Sequence, residues 1–387
     1  MKIPASNISF DSKLPNTGMS IFSQMTEWAQ QCNAINLSQG FPDFDTDPKL
    51  VDLVYKNMKE GFNQYAPMPG NLTLRQRIAD KYKFIYNINV DAVNEVTITA
   101  GGTQGLFTIF SMLLRPKDEV IIFEPAYDSY RPAIEVMGAK VVPVQLMGPD
   151  FNLDWDVVES LINQHTKLIV VNNPNNPTGR ILNENDILRL EGIVSKWPVY
   201  VLSDEVYEHV VFDNKTHQSV LKFETLRQRS FVVCSFGKLL HTTGWKIGYV
   251  IAPPLLTLEL RKIHQFSVFS VNTPVQMAIA EYLEDQNYYT TVPLLFEQKR
   301  NLLIEGLRET AFNVLPCEGT YFLLLDYKAI SELNELDFAK QLTAEAKVAM
   351  IPVSAFYSDS RNQNLLRICF AKKDETLMKA IESLRQI

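Results

Sequence analysis

Two lysines, Lys238 and Lys246, stand eight residues apart in residues 235–249, SFGKLLHTTGWKIGY, among glycines and hydroxyl side chains. The stretch follows the apolar run Phe231-Val232-Val233-Cys234, which reads as a buried strand. An ammonium at the mouth of a buried strand loses hydration, so its pKa falls and a neutral, nucleophilic amine becomes accessible near neutral pH. Lys238 is therefore the candidate for covalent chemistry, against the plainer reading of a surface lysine in a strand-to-helix turn. Nothing inside the stretch says which lysine reacts.

The elements that must position these side chains come from the wider pattern. From residue 48 to 285, strand and helix alternate, with strands expected at 96–99, 119–123, 140–144, 167–171, 199–203, 231–234 and 247–251. Most are short apolar runs without clean alternation, as expected when helices cover both faces of a sheet. The fold class is α/β, with a large domain (48–285) built on a mostly parallel seven-stranded sheet. Beyond it a helix at 292–310 and strands at 312–316, 321–325, 348–351 and 365–370 read as a smaller α+β domain, formed by 286–387 together with 1–47. An amphipathic helix is expected at 21–34, leading into the turn Gly40-Phe41-Pro42.

Ligands of open α/β sheets sit outside the carboxyl ends of the strands, and those ends carry polar and aromatic groups here. Gly101-Gly102-Thr103 opens a helix at 105–114 and offers N–H groups, a positive dipole end and a hydroxyl, which suit a phosphate. Neither GxxxxGK[ST] nor GxGxxG is present, so nucleotides are disfavoured. Asp204 would be partly desolvated and needs a partner to stay ionised; a cationic ring nitrogen would serve, or it caps the next helix. Tyr207, three residues later on the same helical face, either bonds a ligand oxygen or packs in the core. Asn176 sits in an Asn-Pro turn and can donate and accept, and Tyr127 can stack on a planar ring, although both residues have ordinary structural roles.

A planar, phosphorylated, cationic heterocycle carrying an aldehyde would use all of these groups. That describes pyridoxal 5′-phosphate, held by a lysine Schiff base with an acidic partner for its ring nitrogen.

QGFPDF at 39–44, NQYAPMPG at 63–70, the NNPNNPTG turn, SDEVYEH at 203–209, SFGK…TGWKIGY and LLRICF at 365–370 resemble the fold-type I aminotransferases in order and spacing. Within them the chain is most similar to methionine aminotransferases, close to the kynurenine and glutamine aminotransferases. The resemblance implies that Lys238 holds the cofactor as an imine, Asp204 pairs with the ring nitrogen, and Asn176 and Tyr207 bond the ring 3-oxygen. It places Gly102, Thr103, Ser235 and Lys246 on the phosphate, Tyr127 on the ring, and Tyr65 on the phosphate of a neighbouring subunit in a homodimer. Arg367 would clamp the substrate carboxylate, helped by Gly40 and Asn176, with Phe22 and Phe356 as apolar walls. The absence of a second obvious arginine favours methionine, aromatic amino acids or glutamine over aspartate. Leu239-Leu240 departs from relatives that carry a hydroxyl and an aromatic residue after the lysine.

The implied reaction is a ping-pong transfer of an amino group to a 2-oxo acid, with a carbon–sulfur β-lyase on the same scaffold as the alternative and a non-catalytic cofactor-binding regulator as a third. Charge supports a small-molecule role: 37 Lys and Arg against 44 acids give −7, scattered without a basic block, so nucleic acid is not an expected partner. The N-terminus lacks an apolar h-region and no apolar run spans a membrane, so a cytoplasmic location is expected. Four dispersed cysteines without CxxC, and five histidines without HxxxH, argue for free thiols and no metal.

Overall fold

The computed structural model describes residues 11–387; the first ten residues of the expected small domain lie outside the described residues. Seven strands form one sheet, running edge to edge as Val96–Thr99, Gly248–Ile251, Ser230–Ser235, Tyr200–Asp204, Thr166–Asn172, Glu119–Glu124 and Lys140–Gln145. Neighbours pair in parallel except Gly248–Ile251, which is antiparallel to both of its partners. All seven expected strands are present within a residue or two of their expected bounds. The central ones are buried at every position but one end residue, which is why their sequences do not alternate.

Two apolar layers enclose the sheet. Leu106, Ile109 and Phe110 of the helix Gly102–Leu113 pack with Leu260 and Ile134 on one face. Ile187, Leu190 and Val194 of Glu184–Lys196 pack with Trp155 and Tyr82 on the other. The helix expected at 105–114 begins earlier, at Gly102. Gly101 at its N-cap has φ +82°, a left-handed conformation that glycine alone adopts without strain, and this lets the helix start directly at the strand end.

A second, four-stranded antiparallel sheet runs Ile351–Pro352, Leu365–Cys369, Phe322–Asp326, Asn313–Val314. The single strand expected at 348–351 is instead broken at Met350. Val348–Ala349 pairs in parallel with Ile35–Asn36, whereas Ile351–Pro352 joins Leu365–Cys369. The chain changes sheet there because two different neighbours satisfy its backbone. The first helix spans Ile21–Gln31, and the long helix of the C-terminal region spans Tyr288–Leu307. Among the described residues no helix is long and apolar enough to cross a membrane, and no cluster of His, Cys, Asp and Glu could hold a metal.

Candidate active site

The carboxyl ends of the large sheet and the strand Leu365–Cys369 face a common cavity of about 390 Å³. It is lined by Phe22, Gly40, Gly102, Thr103, Tyr127, Asn176, Asp204, Tyr207, Ser235, Lys238, Lys246 and Arg367, which is every expected site residue except Tyr65 and Phe356. Tyr65 lies elsewhere, 81% exposed, with its ring edge-on to Phe269 at 5.3 Å.

Lys238 leaves the strand Ser230–Ser235 on a one-turn helix, Phe236–Leu239. Its Nζ donates to the Tyr321 hydroxyl at 2.7 Å and the Gly40 carbonyl at 3.2 Å. Desolvation lowers its pKa to about 8, and the positive charges of Arg367 and Lys246 add to the shift. Lys246 differs. It ends the short 3-10 turn Thr243–Trp245 at φ +56°, and its ammonium lies against Gly101: a Cβ on that glycine would stand 3.2 Å from Nζ. A lysine therefore sits at the dipole-positive start of Gly102–Leu113, whose N-cap glycine supplies no side-chain cap.

Asp204 ends its strand fully inside the fold. One oxygen accepts from the Tyr130 hydroxyl at 2.6 Å, the other from the Val206 N–H at 3.3 Å. Burial outweighs both bonds and raises its pKa to about 6. The helix expected after Asp204 does not form. The Glu205 N–H continues the sheet to the Val233 carbonyl, and the Asp204 carbonyl accepts from Asn173 N–H and the Asn172 side chain, so the segment turns instead. Asp204 therefore caps no helix, and Tyr207 reaches the cavity from a turn, its buried ring edge-on to Tyr321 at 5.1 Å.

Asn176 and Arg367 are joined: Arg367 Nη1 donates to Asn176 Oδ1 at 2.7 Å and Nη2 to the Ser38 carbonyl at 3.0 Å. Arg367 Nε is buried with no partner among the described residues, an N–H that an anionic ligand would satisfy. The guanidinium is enclosed by rings, 3.9 Å from the Phe322 centroid and about equally far from Phe22 (5.2 Å) and Phe356 (5.1 Å). Burial lowers its pKa to about 10, which leaves it charged at neutral pH. Tyr127 Oη lies 3.5 Å from Thr103 Oγ1. Leu239 and Leu240 are core residues; the Leu239 carbonyl accepts from Tyr288 and both side chains are buried.

Tyr130, Tyr321, Phe322 and Asp128 also belong to the site, and sequence reasoning missed them. Tyr130 lies three residues past Tyr127 at the start of a helix, a spacing that brings both rings together at 5.5 Å. That spacing was the one available signal. Tyr321 and Phe322 enter from the second sheet, where nothing in their local sequence distinguishes them from core aromatics.

Residues 33–384 match the family model for aminotransferase class I and II. The chain is 45% identical to the methionine aminotransferase of Escherichia coli (strain K12), over 97% of this chain and 98% of that protein. It is 30% identical to a kynurenine–oxoglutarate transaminase of Dictyostelium discoideum, covering 96% and 94% respectively. The solved structure of Escherichia coli YbdL, described as having a methionine aminotransferase function, matches with TM-score 0.96 at 45% identity, covering 98% of this chain and 100% of that one.

Proposed function

The chain belongs to the aminotransferase class I and II family and is a pyridoxal 5′-phosphate-dependent aminotransferase; from that premise we propose that Lys238, Asp204 and Arg367 carry its reaction and that methionine is its preferred amino donor, with aromatic amino acids or glutamine as further donors. The observation that carries this reading is the meeting, in one cavity, of a lysine shifted to about 8, a buried carboxylate and an arginine with an unpartnered Nε.

The residues fit the cofactor. Among the described residues, Asp204 is a buried acid without a cation in hydrogen-bond contact, the helix start at Gly102 has no side-chain cap and has Lys246 beside it, and the Asn176 amide nitrogen is left over after its oxygen binds Arg367. Bound there, the cofactor supplies an aldehyde carbon to capture amines and a ring that accepts the electrons of an α-carbanion.

The chain's own residues do the rest. Asp204 would pair with the ring nitrogen and favour its protonated form, Asn176 and Tyr207 would bond the ring oxygen, and Tyr127 would pack on the ring. Gly102, Thr103, Ser235 and Lys246 hold the phosphate. Arg367 binds the substrate α-carboxylate, with Gly40 and Asn176 bounding the same pocket, and Phe22 and Phe356 keep water away from it. Lys238, once free, takes the α-proton on Nζ and gives it back to carbon. The donor leaves as a 2-oxo acid, and a second 2-oxo acid takes up the amino group.

The aromatic enclosure of Arg367 by Phe22, Phe322 and Phe356 supports an apolar donor side chain. Exposed Tyr65 supports a homodimer in which it reaches the phosphate of the neighbouring site. A large domain of 48–285 with a small one from both termini, and a cytoplasmic location, complete the reading. The test is Lys238→Ala: turnover and the absorbance of lysine-bound cofactor should both vanish, and full retention of either overturns the assignment. Rates on methionine, phenylalanine, kynurenine, glutamine and aspartate rank the donors, and aspartate as the best donor would reject the pocket reading. Pyruvate released from cystathionine without added 2-oxo acid would favour the β-lyase.

A further inference from the structure

The two bonds made by Lys238 have a chemical consequence beyond anchoring. Tyr321 donates its own proton to the Gly40 carbonyl at 2.6 Å, so toward Lys238 the phenol offers only lone pairs. Nζ therefore faces two acceptors, the Tyr321 oxygen at 2.7 Å and the Gly40 oxygen at 3.2 Å. A neutral amine has two N–H bonds and one lone pair. With both N–H bonds taken by these acceptors, the lone pair is left for the cavity.

We propose that Tyr321 and the Gly40 carbonyl orient Nζ of Lys238, making Tyr321 a positioning residue that aims the lysine's lone pair at the substrate carbon. The inference rests on Lys238 being the proton carrier. The step balances in both directions. The neutral amine takes the α-proton on its lone pair and becomes an ammonium; two N–H bonds remain on Tyr321 and Gly40, and the third, carrying the transferred proton, points where it is delivered back to carbon. Neither oxidant nor further base is required.

The arrangement is held from several sides. Tyr321 is fully buried, with its ring edge-on to Tyr207 at 5.1 Å and Phe322 at 4.9 Å and tilted against Phe296 at 5.6 Å. A Cβ on Gly40 would stand 2.8 Å from the tip of the Phe322 ring, so a side chain there would push that ring out of place. Lys372 Nζ donates to the Phe41 carbonyl at 2.7 Å and the Gln39 carbonyl at 3.4 Å, which holds the residues on both sides of Gly40.

The experiment compares holoenzyme with Tyr321→Phe, which keeps the ring and removes the acceptor. Tyr321→Phe is expected to retain the absorbance of lysine-bound cofactor and a donor KM within about twofold, while kcat falls at least about tenfold, the size expected for a lost hydrogen bond to a charged group. An α-deuterated donor gives the sharper readout. In the wild type, tethered Nζ should pass the same deuterium to carbon, so cofactor released after one half-turnover carries label above the one-in-three share of a freely rotating ammonium; in Tyr321→Phe the label should fall to that share or below. Equal rates and equal label in both proteins would overturn the proposal. Turnover surviving in Lys238→Ala would instead overturn the assignment of Lys238 itself, so the two failures are distinct.

Discussion

Tyr130 donates a 2.6 Å hydrogen bond to Oδ2 of Asp204, and both side chains are buried. The bond favours the charged carboxylate that burial opposes, and the balance leaves Asp204 at about 6. In Tyr130→Phe the carboxyl should move further up and spend more time protonated, when it cannot pair with a cationic ring nitrogen. Cofactor affinity should fall about tenfold, since a hydrogen bond to a charged group contributes ~1.5–3 kcal/mol, and the loss should be larger at pH 6 than at pH 8. Titration with pyridoxal phosphate at both pH values measures it; an unchanged affinity would show that the bond does not hold the charge.

Lys238 and Asp204 make opposite demands on pH. The folded-state pKa of Lys238 is depressed to about 8, so its contribution to stability is complete only above the unfolded value of about 10.4 and is lost as pH falls through 8. That of Asp204 is raised to about 6, so its contribution is present below about 3.9 and lost as pH rises through 6. Between about 6 and 8 both groups strain the cofactor-free protein. Labelling of Lys238 by an amine reagent in cofactor-free protein, followed by peptide mass spectrometry, should rise with a midpoint near pH 8. A midpoint near 10 would reject the desolvated lysine.

Much of this site was legible because chemistry follows strands. Lys238, Asp204 and Asn176 each come shortly after an apolar run, and in a sheet covered on both faces the next polar group must meet the ligand cleft. Lys238 and Lys246, indistinguishable locally, separate once the helix start at Gly102 is placed against Lys246. The partners that tune these groups were not legible. Tyr321 lies 83 residues from Lys238 and enters from a different sheet, and its sequence context is that of any buried aromatic. Tyr207 was expected on a helix, but Asn173 N–H and the Asn172 side chain take the Asp204 carbonyl that would have accepted the first helical bond.

Arg367 uses two nitrogens for Asn176 and Ser38 and keeps Nε unpartnered, so its planar fork is positioned before substrate arrives. Lysine preserves the charge but neither the fork nor the stacking on Phe322. Arg367→Lys should raise KM for amino donors on the order of 100-fold, roughly two lost charge-assisted bonds, and leave the cofactor absorbance intact. Steady-state kinetics with methionine check this, and a KM within threefold of wild type would remove Arg367 from carboxylate binding.

Away from the residues that line the cavity, Lys81 Nζ donates at 2.5 Å to both Glu208 Oε1 and the Tyr249 hydroxyl, and Tyr86 donates to Glu208 Oε2 at 3.0 Å. Burial pushes the Glu208 carboxyl up, but Lys81 prevails and holds it well below the usual carboxylate range. Its contribution to stability is therefore present above the unfolded value of about 4.3 and lost as pH falls. Lys81→Met leaves that carboxylate buried without its cation and should cost ~3–5 kcal/mol at pH 7. At pH 4–5 the orphaned Glu208 takes up a proton and the penalty shrinks, so the gap in denaturation midpoint between variant and wild type should narrow on acidification. Replacing Glu208 as well, by a leucine, should recover much of the loss, because the cost lies in the unpaired charge and not in the missing bond. A gap that is constant with pH, or a double variant no better than the single one, would show that Lys81 acts through packing alone.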